Sequence, residues 1–167
     1  MHKNFYINIL TMFGIGNIKY APGTVASIFT CLFYCYLFSQ QAGIFLILLF
    51  YIFLTVSSIN LINKFSNKFK KKDPREIVID EFIGQSVPLI FFYILTSFYE
   101  KDVFYFLAII SFVLFRFFDI FKPYPISLVD KKMKSGLGIV LDDILAGLFT
   151  LIVILLFFWG VRKNPLR

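Results

Sequence analysis

Residues 20–63 read YAPGTVASIFTCLFYCYLFSQQAGIFLILLFYIFLTVSSINLIN and contain no charged side chain. A helix needs about 20 consecutive apolar residues to cross a bilayer, so this stretch is long enough to cross twice. Its polar midpoint, Ser39-Gln40-Gln41-Ala42-Gly43, is the natural place to turn. Working outward, the chain divides into five apolar segments, at 25–39, 43–62, 80–98, 103–119 and 139–160. Hydrocarbon offers no water to bond the backbone, so each segment is expected to be helical. The expected fold class is all-α, a multi-pass membrane helical bundle of four to five transmembrane helices. Residues 1–167 read as a single domain, without internal repeat or low-complexity linker.

Composition supports the membrane assignment. The chain is 59% hydrophobic and 20% aromatic over 167 residues, with a mean hydropathy of +0.79. That is more apolar surface than a soluble core of this length hides. A net charge of +7 raises the question of nucleic acid. The basic residues, however, gather in two short loops between apolar segments rather than along a soluble face, and no nucleic-acid partner is expected.

The first basic loop, Asn63 to Glu76, carries Lys64, Lys68, Lys70, Lys71, Lys72 and Arg75. The second, Ile120 to Gly138, carries Lys122, Lys131, Lys132 and Lys134. The positive-inside rule places both in the cytoplasm, and the charge-poor connections near Gln40 and Lys101 on the far side. Five spans then put Arg162, Lys163 and Arg167 outside, against the same rule. Cys31 and Cys35, one helical turn apart in an apolar run, read as packing residues rather than a disulfide. Gly14 and Gly16 interrupt the N-terminal apolar patch after Lys3, so a removable signal peptide is not expected.

Four polar constellations fall at the cytoplasmic ends of these segments. The first is Gly14-Ile15-Gly16 followed by Ala21-Pro22-Gly23-Thr24. A proline in a first helical turn with exposed amides suits an anion such as phosphate, although Pro-Gly is also an ordinary turn signal. The second runs from Asp73 through Asp80-Glu81 to Gly84. Its two adjacent carboxylates could be dipole caps of a helix start. Within the frame of Ile77, Val78, Ile79, Phe82 and Ile83, two charges at a membrane edge instead call for a cation or partner.

The third constellation is Arg116-Phe117-Phe118-Asp119-Ile120-Phe121-Lys122-Pro123-Tyr124-Pro125, continuing to Asp130. Arg116 and Asp119 share a helical face, which predicts an ion pair within the helix. Lys122 stands just before prolines that end the helix and hold its ammonium at the site rim, within reach of a phosphate. The fourth is Gly136-Leu137-Gly138-Ile139-Val140-Leu141-Asp142-Asp143, with Ala146-Gly147 one turn later. Small residues one turn beyond each acidic doublet, Gly84 and Gly147, suggest two helices packed side by side with four carboxylates converging. Four carboxylates cannot share a low-dielectric pocket uncompensated. Oxygen ligands alone point to a hard ion, with Mg²⁺ the first choice. Such an ion polarises a phosphoryl oxygen and lowers the pKa of bound water.

Other phosphate chemistries lack their residues. The only histidine is His2 at the terminus, which disfavours a histidine nucleophile or base. No cysteine phosphatase loop, G-x-x-x-x-G-K-[ST] loop or D-x-D motif is present.

In these four blocks, and in their order, the sequence closely resembles the phosphatidylglycerophosphatase A family over nearly its whole length. One departure is visible, because the family's first block continues to Gly-Ser where Ala26-Ser27 stands here. The resemblance implies Mg²⁺-dependent hydrolysis of phosphatidylglycerophosphate to phosphatidylglycerol and phosphate. It further implies a role in phospholipid biosynthesis and a site on the cytoplasmic side of the bacterial inner membrane. Carried over by position, it implies that Asp80, Glu81, Asp142 and Asp143 are metal and catalytic carboxylates, with Asp119 a further catalytic candidate. Gly23, Thr24, Arg116, Lys122 and Asp130 would form the phosphate-binding set. Membrane lipid is the expected partner, and no obligate protein partner is inferred. A CDP-alcohol phosphatidyltransferase is the enzymatic alternative, but its long single motif with Asp-Gly and repeated Asp is absent. A small transporter would need ionisable groups at several depths, and the middles of segments one, two and five have none.

Overall fold

The computed structural model describes residues 2–65, 76–96, 101–133 and 135–163. Seven helices are present among them: α1 His2–Leu10, α2 Pro22–Ser39, α3 Ile44–Phe65, α4 Ile79–Thr96, α5 Lys101–Phe121, α6 Ile126–Lys132 and α7 Gly136–Lys163, with a 3-10 turn at Ile15–Asn17. Five of these, α2, α3, α4, α5 and α7, are long and apolar enough to cross a membrane. The multi-pass helical bundle expected from the apolar segments is therefore what forms. Helices α1 and α6 and the 3-10 turn were not anticipated. Each is too short for a periodic pattern to stand out, and α6 lies inside the loop 120–138. Lys68, Lys70, Lys71, Lys72, Arg75, Lys134 and Arg167 lie outside the described residues, as do Asp73 and the side chains of His2, Arg162 and Lys163.

The long helices alternate in direction. At one end, the amide of Gly136 at the start of α7 donates to Asn63 Oδ1 near the end of α3, at 2.6 Å. The amide of Val78, just before α4, donates to the Leu10 carbonyl at 3.0 Å, which fixes the N-terminal segment to that same end. At the other end, Tyr93 Oη near the end of α4 donates to the Ala42 carbonyl in the turn between α2 and α3, at 2.6 Å. The starts of α2, α4 and α7 and the ends of α3 and α5 thus gather on one side.

Helix α4 is the hub. Of its apolar stretch, 72% is buried inside the protein, against 11% for α3, whose Phe45, Phe50 and Phe53 face outward as a lipid-facing helix should. The intimate contact is between α4 and α7. A methyl group placed on Gly84 would lie 2.5 Å from the carbonyl oxygen of Asp143, and one on Gly147 would collide with the carbonyl of Gly84. Pro88 lies inside α4 and has no amide hydrogen to give the Gly84 carbonyl four residues back. Gly147 of α7 packs against that carbonyl, with no room between them for a side chain. Phe38 and Phe104 stack with ring centroids 4.2 Å apart, closing the far end between α2 and α5. Both cysteines are free, and Cys31 packs with its sulfur 3.7 Å from the Ala108 carbonyl oxygen, the packing role expected of it.

Candidate metal and phosphate site

The end where α2, α4 and α7 begin and α5 finishes encloses a cavity of about 590 Å³. Each wall owes its chemistry to a helix end. Helix α2 starts with Ala21 in the left-handed region (φ 46°), Pro22 at its first position, and no side chain capping its amides. Uncapped first-turn amides are donors to an anion. Pro22 and Gly23 line the cavity. Thr24, in the first turn of α2, is not among the lining residues, so the structure does not bring it to the cavity wall with the other residues expected to bind phosphate.

Asp80 and Glu81 open α4, and Asp142 and Asp143 lie in the second turn of α7. The Gly84–Gly147 contact brings the two helices close enough for their acids to meet. One carboxylate oxygen each from Asp80, Glu81 and Asp143 lies within 4.8 Å of the others. These groups are withdrawn from solvent: Asp80 is 8% exposed and Asp143 3%. Asp80 Oδ1, Glu81 Oε2 and Asp143 Oδ2 are buried with no hydrogen-bond partner. Two buried carboxylates and one half-buried one, each with an unpartnered oxygen, are costly to gather unless a cation shares them.

Asp142 takes a different part. It is not in the group of three whose oxygens lie within 4.8 Å of one another. Asp142 accepts a hydrogen bond from the Lys122 ammonium, which also donates to Asp130 Oδ1 at 3.2 Å. Lys122 follows α5 in the left-handed region (φ 43°), and that turn swings its side chain inward over α7. Burial alone would lower its pKa. The hydrogen bond to Asp142 and the nearby charges of Asp142, Asp143 and Asp119 outweigh burial, and the ammonium is held well above its ordinary range. Two of its three N–H donors are engaged, leaving one for a ligand.

Arg116 Nη1 pairs with Asp119 Oδ2 at 2.6 Å, the intrahelical ion pair that their spacing predicted. Arg116 also stands beside Glu81 at the start of α2: a methyl on Gly23 would lie 3.2 Å from Arg116 Nη1 and would collide with the Glu81 carboxylate. Arg116 Nε is buried with no partner.

The cavity thus brings together Gly23, Asp80, Glu81, Arg116, Asp119, Lys122, Asp130, Asp142 and Asp143 from five helices and the segment after α5. It also includes Asn17, Lys19, Glu76 and Met133, which the sequence reading passed over. For Asn17 and Lys19 a signal existed. They are polar residues between the Gly14-x-Gly16 and Ala21-Pro22-Gly23 blocks, both of which had been assigned to the site. Seven carboxylates and three cationic side chains line the cavity, so an anionic ligand needs added positive charge to enter.

A sequence model of the phosphatidylglycerophosphatase A family matches residues 8–158, a span that includes the whole cavity lining. The chain is 35% identical over 142 residues to a phosphatidylglycerophosphatase A of Haemophilus influenzae, covering 85% of this chain and 82% of that one. It is 30% identical over 154 residues to a Bacteroides thetaiotaomicron protein provisionally named phosphatidylinositol-3-phosphatase, covering 90% of this chain and 92% of the relative. A phosphatidylglycerophosphatase A of Escherichia coli is 37% identical over 78 residues, 47% of this chain and 41% of that protein. No solved structure matches the chain.

Proposed function

The chain belongs to the phosphatidylglycerophosphatase A family of phosphatases, and we propose that it removes the terminal phosphate of phosphatidylglycerophosphate, with Mg²⁺ as its cofactor, at the cytoplasmic face of the bacterial inner membrane. In this reading the reaction belongs to phospholipid biosynthesis and yields phosphatidylglycerol and inorganic phosphate.

The observation that carries the proposal is the convergence of Asp80, Glu81 and Asp143, with one oxygen of each within 4.8 Å of the others, and with one buried oxygen on each residue that no protein group serves. The site has oxygen ligands and no cysteine or histidine in its lining, a donor set suited to a hard divalent cation. Asp80, Glu81 and Asp143 would hold it, and Asp142 would stand beside it while anchoring Lys122. When bound, the ion supplies Lewis-acid polarisation of the phosphoryl group and a more acidic water.

The chain's own groups account for the rest. Hydrolysis adds a water oxygen to phosphorus and breaks the bond from phosphorus to the glycerol oxygen, which leaves protonated as an alcohol. Negative charge on the non-bridging oxygens is met by the remaining Lys122 N–H, by Arg116 Nε, and by the first amides of α2 near Gly23 and Thr24. Asp119 holds Arg116, and Asp130 with Asp142 holds Lys122, so both cations are positioned before substrate arrives. A lipid substrate suits the surroundings. Tyr20 and Phe121 flank lining residues, Tyr124 lies two residues from Lys122, and the three are 74%, 69% and 76% exposed, as aromatic side chains at a membrane interface are.

The test is release of inorganic phosphate from phosphatidylglycerophosphate by purified protein in detergent. Turnover that EDTA abolishes and Mg²⁺ restores supports the reading; turnover indifferent to chelation overturns the metal assignment. Phosphatidylinositol 3-phosphate, suggested by the name of the Bacteroides relative, is the second substrate to be offered in that assay.

A further inference from the structure

Phosphatidylglycerophosphate carries two negative groups on one glycerol, the monoester phosphate that is lost and the phosphodiester that joins the headgroup to the lipid. The metal-ligand carboxylates, Lys122 and Arg116 account for the first. The cavity, at about 590 Å³, has room for more than one phosphate group.

Of the three cationic side chains in the lining, two are committed. Arg116 pairs with Asp119, and Lys122 with Asp142 and Asp130. Lys19 has no carboxylate partner among the described residues. It is exposed at the rim, with its ammonium 5.3 Å from the centre of the neighbouring Tyr20 ring.

The segment carrying Lys19 is fixed rather than loose. Left-handed residues bracket it, Met12 (φ 47°), Phe13 (φ 55°) and Gly14 (φ 100°) before and Ala21 (φ 46°) after. Such conformations at non-glycine positions persist only where the surroundings impose them. Thr11 supplies much of that constraint, its carbonyl accepting from the amide of Gly16 at 2.9 Å and its hydroxyl from the amide of Gly14 at 3.3 Å. The amides of Asn17 and Ile18 then close the 3-10 turn onto Gly14 and Ile15 at 3.0 Å each.

We propose that Lys19 binds the phosphodiester of the lipid headgroup, so that the site measures two phosphates on one glycerol rather than one. This rests on the phosphatase reading above and extends it to substrate selection. Lys19 is a specificity residue in this scheme: it grips the part of the substrate that is unchanged by the reaction, which favours ground state and transition state alike.

The experiment compares wild type, Lys19→Ala and Lys19→Arg with phosphatidylglycerophosphate as substrate and inorganic phosphate as competitive inhibitor. Inorganic phosphate occupies only the monoester end and serves as the internal control. Lys19→Ala is expected to raise KM about tenfold, the scale of one lost charge-assisted contact, with kcat held within about twofold. The inhibition constant of inorganic phosphate should stay within about twofold, and Lys19→Arg should restore KM. Lys131→Ala, an exposed α6 lysine outside the cavity, controls for general attraction of lipid and should leave KM unchanged. An unchanged KM in Lys19→Ala overturns the assignment. So does a KM and phosphate inhibition constant that rise together, which would place Lys19 at the monoester. A wild type that releases no phosphate from this lipid overturns the phosphatase reading itself and this inference with it.

Discussion

Gly147 in α7 rests against the carbonyl oxygen of Gly84 in α4, each one helical turn beyond an acidic residue of the site, Asp143 and Asp80 respectively. The two glycines set how closely the helices approach, and therefore how closely their carboxylates converge. Gly147→Val should push α7 away from α4. Overpacking of this kind costs about 1–3 kcal/mol, which lowers the unfolding temperature in detergent. Activity should fall further than stability, because the separation of Asp80 and Asp143 is disturbed directly. A Gly147→Val protein with wild-type turnover would show that the helix contact does not position the site.

Asp80→Asn and Asp143→Asn each remove a charge from the buried group of three while keeping the shape of the side chain. Activity is expected to drop by at least about 100-fold, beyond the loss typical of residues that merely support metal ligands. Mg²⁺ should raise the melting temperature of wild type, because an ion that binds only the folded state stabilises it. That rise should shrink or vanish in both variants. Retention of the full Mg²⁺-dependent shift in Asp143→Asn would remove it from the metal site even if activity were lost.

Lys122→Met leaves Asp142, which is 4% exposed, without its ammonium partner. The loss of one member of a half-buried charge pair is expected to cost about 1–3 kcal/mol and to reduce phosphate affinity strongly. Lys122→Arg keeps the charge but replaces a compact ammonium with a planar fork, and should recover stability more fully than activity. The sign of the pH effect follows from the raised pKa of Lys122. Its stabilisation is fully present below the ordinary lysine value of 10.5 and is lost only as pH rises through the higher folded-state value. Thermal stability contributed by this residue should therefore be flat from neutral pH to about pH 10. A Lys122-dependent loss of stability between pH 7 and 9 would contradict the pairing.

Offered phosphatidylglycerophosphate and phosphatidylinositol 3-phosphate separately, the protein should favour the glycerol headgroup by at least about tenfold in kcat/KM. The inositol ring is bulkier and more rigid than a glycerol. A preference for the inositol lipid would move this chain's substrate toward the name given to its Bacteroides relative.

Much of the architecture was legible in the chain because a bilayer leaves few choices. Runs such as 43–62, free of charge, must be helical and must span, and the observed α3, Ile44–Phe65, departs from that reading by a few residues at the ends. The acidic doublets could be found for the same reason, since paired carboxylates stand out against apolar surroundings. Helix α1 and the turn at Ile15–Asn17 were not legible: their shape comes from left-handed backbone at Met12 and Phe13, residue types that carry no signal for it.

The sequence by itself determined a bundle of four to five apolar helices, their alternation, and the four polar blocks from which the site is made, because hydrocarbon penalises every unpaired charge and every open backbone group. Tertiary structure alone decided how the acids divide their labour. Asp143 faces Asp80 and Glu81 while its neighbour Asp142 meets the Lys122 ammonium, because the docking of α7 on α4 brings one aspartate to the acids of α4 and the turn after α5 brings Lys122 to the other. The folded turn between α1 and α2 likewise brought Lys19, unremarkable in the chain, to the wall of the cavity.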